Sequence, residues 1–189
     1  MLSPREMIDD RPDDNVFRVN RAAFTDANTF DREMSEIFDR CWLYIGHESQ
    51  VPDHGDYIAT RLGLHPVFVI RGSDGEVRCF YDACSHRGSK LTRRTSGNAR
   101  TMTCRYHGWC FNADGDCTLV RGGDEAYRSE DLERMGTNIR PIEQFGEYKG
   151  FLFGCLDVDA PSLLDFLGGA LPFIDLMADQ APDEMEVLR

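Results

Sequence analysis

The chain has 189 residues, 41% of them hydrophobic and 11% aromatic, which is enough to bury a core in one domain, at most two, and too apolar for a disordered chain. Charged residues make up 29%, and no apolar run approaches the about 20 residues that a membrane helix needs. Thirty-three acidic against 21 basic side chains give a net charge of −12, a field that repels phosphate backbones, so neither a membrane nor a nucleic acid is an expected partner. The N-terminus carries Asp9, Asp10, Asp13 and Asp14 and no apolar signal-peptide region, which makes the cytoplasm the expected location. Seven cysteines in that compartment are metal ligands or core residues rather than disulfide partners.

In chain order, residues up to about 25 are polar and aperiodic and read as an arm or irregular wrap. Phe30, Met34, Ile37, Phe38 and Cys41 then recur at helical spacing, with Thr29 as N-cap, which predicts an amphipathic helix running into Trp42. Short strands follow over 57–60, 66–71 and 77–81, the last two joined through Ser73-Asp74-Gly75. The pattern continues over 101–104 and 109–111 and turns at Asn112-Ala113-Asp114-Gly115, after which 122–133 reads as a polar loop. Strands over 139–145 and 148–156 close the series. Pro161 then suits a first helical turn, and two helical pieces, 163–167 and 173–177, are separated by Gly168-Gly169. The expected fold class is an all-β core of short antiparallel strands with flanking N- and C-terminal helical segments.

The chemistry-bearing segment is Cys84-Ser85-His86-Arg87-Gly88 followed by Cys104-Arg105-Tyr106-His107-Gly108-Trp109. Each of two tight loops offers one thiol and one imidazole, and the glycines allow close backbone approach. Zinc and iron–sulfur are both candidates. Zinc sites more commonly keep like ligands together, as C-x2-4-C followed by H-x3-5-H. A Rieske 2Fe-2S centre instead has two histidines in place of two cysteines on one iron, which mixed loops supply.

Together with 42–48, 67–71 and 148–154, these loops resemble the N-terminal Rieske domain of aromatic-ring-hydroxylating dioxygenase large (alpha) subunits over nearly the whole chain. The resemblance implies a Rieske-type iron–sulfur domain in which Cys84 and Cys104 hold one iron of a 2Fe-2S cluster and His86 and His107 the other, relaying single electrons. The closing segment, above all 182–189, is similar to the benzoate, toluate and anthranilate group. Asp82 stands where many relatives have asparagine and Arg105 where many have proline. The implied divisions are an N-terminal arm and helix over 1–40, the Rieske domain over 41–157 and a helical linker over 158–189.

The family oxygenates its substrate at a mononuclear Fe(II) held by two histidines and a carboxylate in a following catalytic domain. No histidine follows His107, so the expectation is an electron-entry half, a fragment or truncated product, that holds no catalytic residue and does not hydroxylate alone. By resemblance the whole enzyme is an NADH-dependent oxidoreductase, fed by a ferredoxin or flavin reductase, that forms cis-dihydrodiols. It assembles as a homo-trimer or alpha/beta hetero-hexamer, with electrons crossing between neighbouring subunits. A freestanding Rieske ferredoxin is the alternative, but it needs little beyond the β core. A zinc-stabilised interaction module is the other, and it would be colourless.

The remaining candidates have plainer roles. Cys41, Cys79 and Cys155 fit core positions, Cys110 and Cys117 flank a hairpin turn as thiols, and His47 reads as a hydrogen-bonded core or interface residue. His54 and His65 read as loop residues, and the acidic clusters at 9–14 and 124–133 as solvated surface. No serine elbow, phosphate loop or dinucleotide fingerprint occurs. From 83 to 113 there is no carboxylate, whereas Arg87, Lys90, Arg93, Arg94, Arg100 and Arg105 form a basic collar, the expected docking surface for an acidic electron donor.

Overall fold

The computed structural model describes residues 3–181 and 185–187. Most of the segment 182–189 thus lies outside the described residues, its likeness to the benzoate group included. The first residues are more ordered than their composition indicates. Strands β1 (Ile8–Arg11) and β2 (Val16–Val19) form an antiparallel hairpin, Ile8 opposite Val19, and a single turn of helix, α1 (Ala22–Thr25), follows.

The next helix starts earlier than its apolar spacing predicts. Asp26, not Thr29, caps α2 (Ala27–Glu33), its carboxylate accepting the Thr29 N–H at 2.9 Å. The helix passes into a π-helical turn over Met34–Phe38 and stops short of Cys41. Its apolar stripe is not a core face: Ile37 is 50% exposed, and Phe30 and Phe38 are exposed as well.

The centre is a four-stranded antiparallel sheet in the order β6-β5-β4-β7, made of β4 (Asp56–Leu62), β5 (His65–Arg71), β6 (Val77–Tyr81) and β7 (Ser96–Asn98). Val67, Val69 and Cys79 face one side, with Ile45, Leu62 and Leu152, whereas Phe68, Ile70 and Phe80 face the other. This alternation is the period-two pattern of a sheet buried on both faces. His65 is the first residue of β5 rather than a loop residue, and its Nε2 lies 3.3 Å from Asp39. A second sheet, β11-β12-β3, comprises β3 (Leu43–His47), β11 (Gln144–Tyr148) and β12 (Phe151–Cys155). The expected strand over 139–145 shrinks because Pro141 removes a donor: it makes a lone bridge to Phe80, and pairing begins at Gln144. Tyr148 ends β11 instead of opening β12, with Lys149 and Gly150 as the two-residue turn.

The third sheet, β10-β9-β8, is built from β8 (Thr101–Thr103), β9 (Cys110–Asn112) and β10 (Cys117–Leu119). The Asn112 side chain organises the turn after β9 by accepting the N–H groups of Asp114 and Asp116. The segment expected as a loop over 122–133 contains two short helices, α3 (Gly123–Ala126) and α4 (Ser129–Met135). Both are held by one-sided contacts, because Tyr127 and Leu132 pack on the central core. C-terminal helices α5 (Leu163–Leu167) and α6 (Leu171–Ala178) lie either side of Gly168, and Pro161 precedes α5, which Ser162 caps. The Trp42 indole N–H donates to the Pro161 carbonyl at 2.8 Å, and the Tyr148 hydroxyl to Asp175 at 2.6 Å, fastening this region to the second sheet. Cys79 and Cys155 are buried as expected, while Cys41 is only half-buried. His47 is buried and its Nδ1 meets the Ser49 hydroxyl at 3.0 Å.

Candidate metal centre

Two loops with unequal ligand spacing share one backbone design. The first leaves β6 and the second joins β8 to β9. In the first, the Cys84 N–H donates to the Ser89 carbonyl and the Gly88 N–H to the Cys84 carbonyl, both at 2.8 Å. In the second, the Cys104 N–H donates to the Trp109 carbonyl at 2.8 Å and the Gly108 N–H to the Cys104 carbonyl at 3.0 Å. Gly88 and Gly108 both sit in the left-handed region, at φ +68° and +72°, where a side chain is strained. The shared C-x3-G pattern is therefore the structural repeat, and histidine falls at its third position in one loop and its fourth in the other.

This design brings the four side chains together. Cys84 and Cys104 are almost wholly buried, at 3% and 2% exposure, in the core containing Phe68, Phe80, Trp109 and Phe111. Burial pushes the Cys84 thiol up to about 11, against the opposing effect of the His86 and Arg87 N–H groups. At Cys104 burial acts in the same sense. There the Tyr106 N–H, the Cys84 thiol, the His107 N–H and the Ser89 side chain outweigh it, so this thiol lies below its ordinary value. The imidazole rings of His86 and His107 are 4.6 Å apart, and the Nδ1 atoms of both are buried with no hydrogen-bond partner. Burial, His107 and Arg87 lower the His86 pKa, which favours the neutral ring that a metal-bound imidazole requires.

Two buried thiols and two imidazoles that meet edge-on with orphaned Nδ1 atoms suit a binuclear cluster, which asks each metal for two protein ligands. Among the described residues no three His, Cys, Asp or Glu side chains converge on a point where a single ion would sit. Beside the rings lies an open depression of about 560 Å³, lined by His86, Arg105, Tyr106, His107 and Tyr127.

Sequence reasoning did not assign the supporting roles of three residues. Buried Asp82 accepts the Leu91 and Thr92 N–H groups at 2.9 Å each, and the Thr92 hydroxyl, bracing the chain that leaves the first loop. The Ser89 side chain helps to hold the Cys104 thiol below its ordinary value. The Tyr127 hydroxyl lies 2.9 Å from His86 Nε2. Of these, the Asp82 departure from asparagine is the one signal legible in sequence; the others are contacts between segments. Five collar residues, Arg87, Arg93, Arg94, Arg100 and Arg105, are exposed with no carboxylate in salt-bridge range among the described residues. Lys90 alone is paired, with Asp82 at 3.7 Å.

Residues 41–130 match the family model of the Rieske [2Fe-2S] domain, the class whose fold and site these loops resemble. The chain is a homologue of the large subunits of ring-hydroxylating dioxygenases. It is 40% identical to toluate 1,2-dioxygenase subunit alpha of Pseudomonas putida over 184 residues, covering 97% of this chain and 40% of that one. The anthranilate 1,2-dioxygenase large subunit of Acinetobacter baylyi is also 40% identical, over 96% of this chain and 38% of its own length. Among solved structures, naphthalene 1,2-dioxygenase from Rhodococcus sp. bound to indole superposes with a TM-score of 0.77 at 34% identity, covering 84% of this chain and 36% of that chain. The chain thus spans about 40% of the length of the curated relatives it matches. No helix among the described residues is long and apolar enough to cross a membrane.

Proposed function

We propose that this chain is the electron-entry part of an aromatic-ring-hydroxylating dioxygenase large subunit, with Cys84 and Cys104 holding one iron of a Rieske cluster and His86 and His107 the other. The observation that carries the reading is the pair of matched loops that joins two buried thiols and two imidazoles with orphaned Nδ1 atoms. When bound, the cluster supplies one-electron storage and release. The chain's own residues exclude water from the sulfurs by packing Phe80, Trp109 and Phe111 beneath them, and the loop N–H groups favour thiolate.

The donor is a ferredoxin or flavin reductase with an acidic face, meeting the collar at Arg93, Arg94 and Arg105. Arg93 and Arg94 line a groove that shares Thr103 with the depression beside His107, so charge guides the donor to the ring edges. The acceptor is a mononuclear iron in a catalytic domain, reached across neighbouring subunits of a homo-trimer or alpha/beta hetero-hexamer in the cytoplasm. The substrate class is an aromatic carboxylate of the benzoate, toluate and anthranilate kind, supported by the likeness to the toluate and anthranilate enzymes.

Replacing His107 with Cys and Cys110 with Ser tests the ligand set. His107→Cys perturbs or abolishes the Rieske visible spectrum and Cys110→Ser preserves it. The opposite pattern overturns the assignment.

A further inference from the structure

The geometry points to Tyr127 as a positioning residue that fixes the tautomer of His86, and of His86 alone, so that its Nδ1 faces the cluster; this rests on the ligand set proposed above. A neutral imidazole carries one proton, on either nitrogen, and presents a metal with a lone pair only at the other. At His86 the surroundings bias the choice, because one nitrogen has a polar partner and the other has none. The Tyr127 hydroxyl lies 2.9 Å from Nε2, while Nδ1 is buried and has no partner. With Nε2–H donating to the phenol oxygen, Nδ1 keeps its lone pair.

The ring is also held in orientation. It stacks on the buried Trp109 indole at 4.8 Å and 5°, and the Tyr127 ring meets it edge-on at 6.0 Å and 86°. Tyr127 itself packs edge-on against Trp109 at 6.0 Å and 81°. Its N–H is tied to the Gly123 carbonyl at 2.9 Å, and Leu132 of α4 packs on the same core. The α3–α4 segment therefore carries the phenol to the ring from 41 residues away in sequence.

His107 receives no such clamp. The Tyr106 ring lies against it at 3.8 Å and 37°, and no side chain among the described residues hydrogen-bonds its nitrogens. The two imidazoles are thus inequivalent by construction. An acceptor on Nε2–H makes an imidazole a stronger donor at its other nitrogen. The Tyr127 oxygen therefore favours the oxidised form of a metal bound at His86, and its removal favours the reduced form.

Tyr127→Phe removes the oxygen and keeps the ring that packs on Trp109, so the test perturbs the hydrogen bond and not the fold. The iron-loaded wild type and variant are compared by film voltammetry and by pulsed EPR of the reduced state. The expected result is an upward shift of the midpoint potential, with a changed coupling for one of two histidine nitrogens and an unchanged coupling for the other. An unmoved potential with both couplings unchanged, or both couplings changed equally, overturns the role of Tyr127. If the wild type shows no histidine nitrogen coupling at all, the ligand set fails instead, so the two failures are distinguishable.

Discussion

Replacing Asp82 with alanine removes the acceptor of three hydrogen bonds in one step. The Leu91 and Thr92 N–H groups, each bonded at 2.9 Å, and the Thr92 hydroxyl all converge on this carboxylate, whose side chain is 1% exposed. Loss of the acceptor leaves two backbone donors buried and unpaired, at about 1–3 kcal/mol each, for a total of about 2–6 kcal/mol. Lys90 adds little, because its side chain is 63% exposed at 3.7 Å from the carboxylate and screened pairs contribute at most about 1 kcal/mol. Asparagine keeps an oxygen for both N–H groups and offers its amide to the Thr92 hydroxyl, so Asp82→Asn costs about 1 kcal/mol or less. Urea denaturation followed by the fluorescence of Trp42 and Trp109 measures both variants against the wild type at matched slopes. The alanine variant within about 0.5 kcal/mol of the wild type, or asparagine as damaging as alanine, refutes the bracing role.

Reversing Arg93 and Arg94 to Glu slows reduction by an acidic donor about tenfold at low salt and flattens its ionic-strength dependence; stopped-flow rates unchanged at low salt eliminate the collar from docking. The midpoint potential of the loaded protein sits near the lower end of the Rieske range, about −150 mV, because Trp109 stands where respiratory Rieske proteins place a sulfide-bonding serine, and Ser89 and Tyr106 where they place a bracing disulfide. Film voltammetry near neutral pH gives the value, and a midpoint above about +100 mV contradicts it. The Ser89 side chain helps to hold the Cys104 thiol below its ordinary value, and a donor to a ligand sulfur stabilises the reduced state; Ser89→Ala therefore moves the potential down, and an unmoved potential rules that role out.

The elements legible in sequence are those whose signal is local. Strands β5 and β6 stand out because they are rich in β-branched and aromatic residues between turn residues, and Ser73-Asp74-Gly75 closes them as expected. Likewise both loops are short and self-contained, so their mixed thiol and imidazole pairs stand out in the sequence, and the family resemblance implies their roles as ligands. What was missed depends on distant partners. The α3–α4 segment is polar enough to read as loop, and its few apolar residues find their use only against the central core. Helix α2 carries a polar first turn that hides its start at Ala27, and the exposure of Ile37 shows that periodicity alone did not identify a core face. Tyr127 acquires its role through a contact across the site, which no window of sequence contains.

The central claim is that two thiols hold one iron and two imidazoles the other, and Mössbauer spectroscopy of the chain loaded with iron-57 addresses each metal separately. The account predicts two inequivalent iron sites in equal amounts, one with all-sulfur coordination and one with nitrogen and sulfur. Two equivalent all-sulfur irons, or a colourless protein that binds zinc in place of iron, would contradict it.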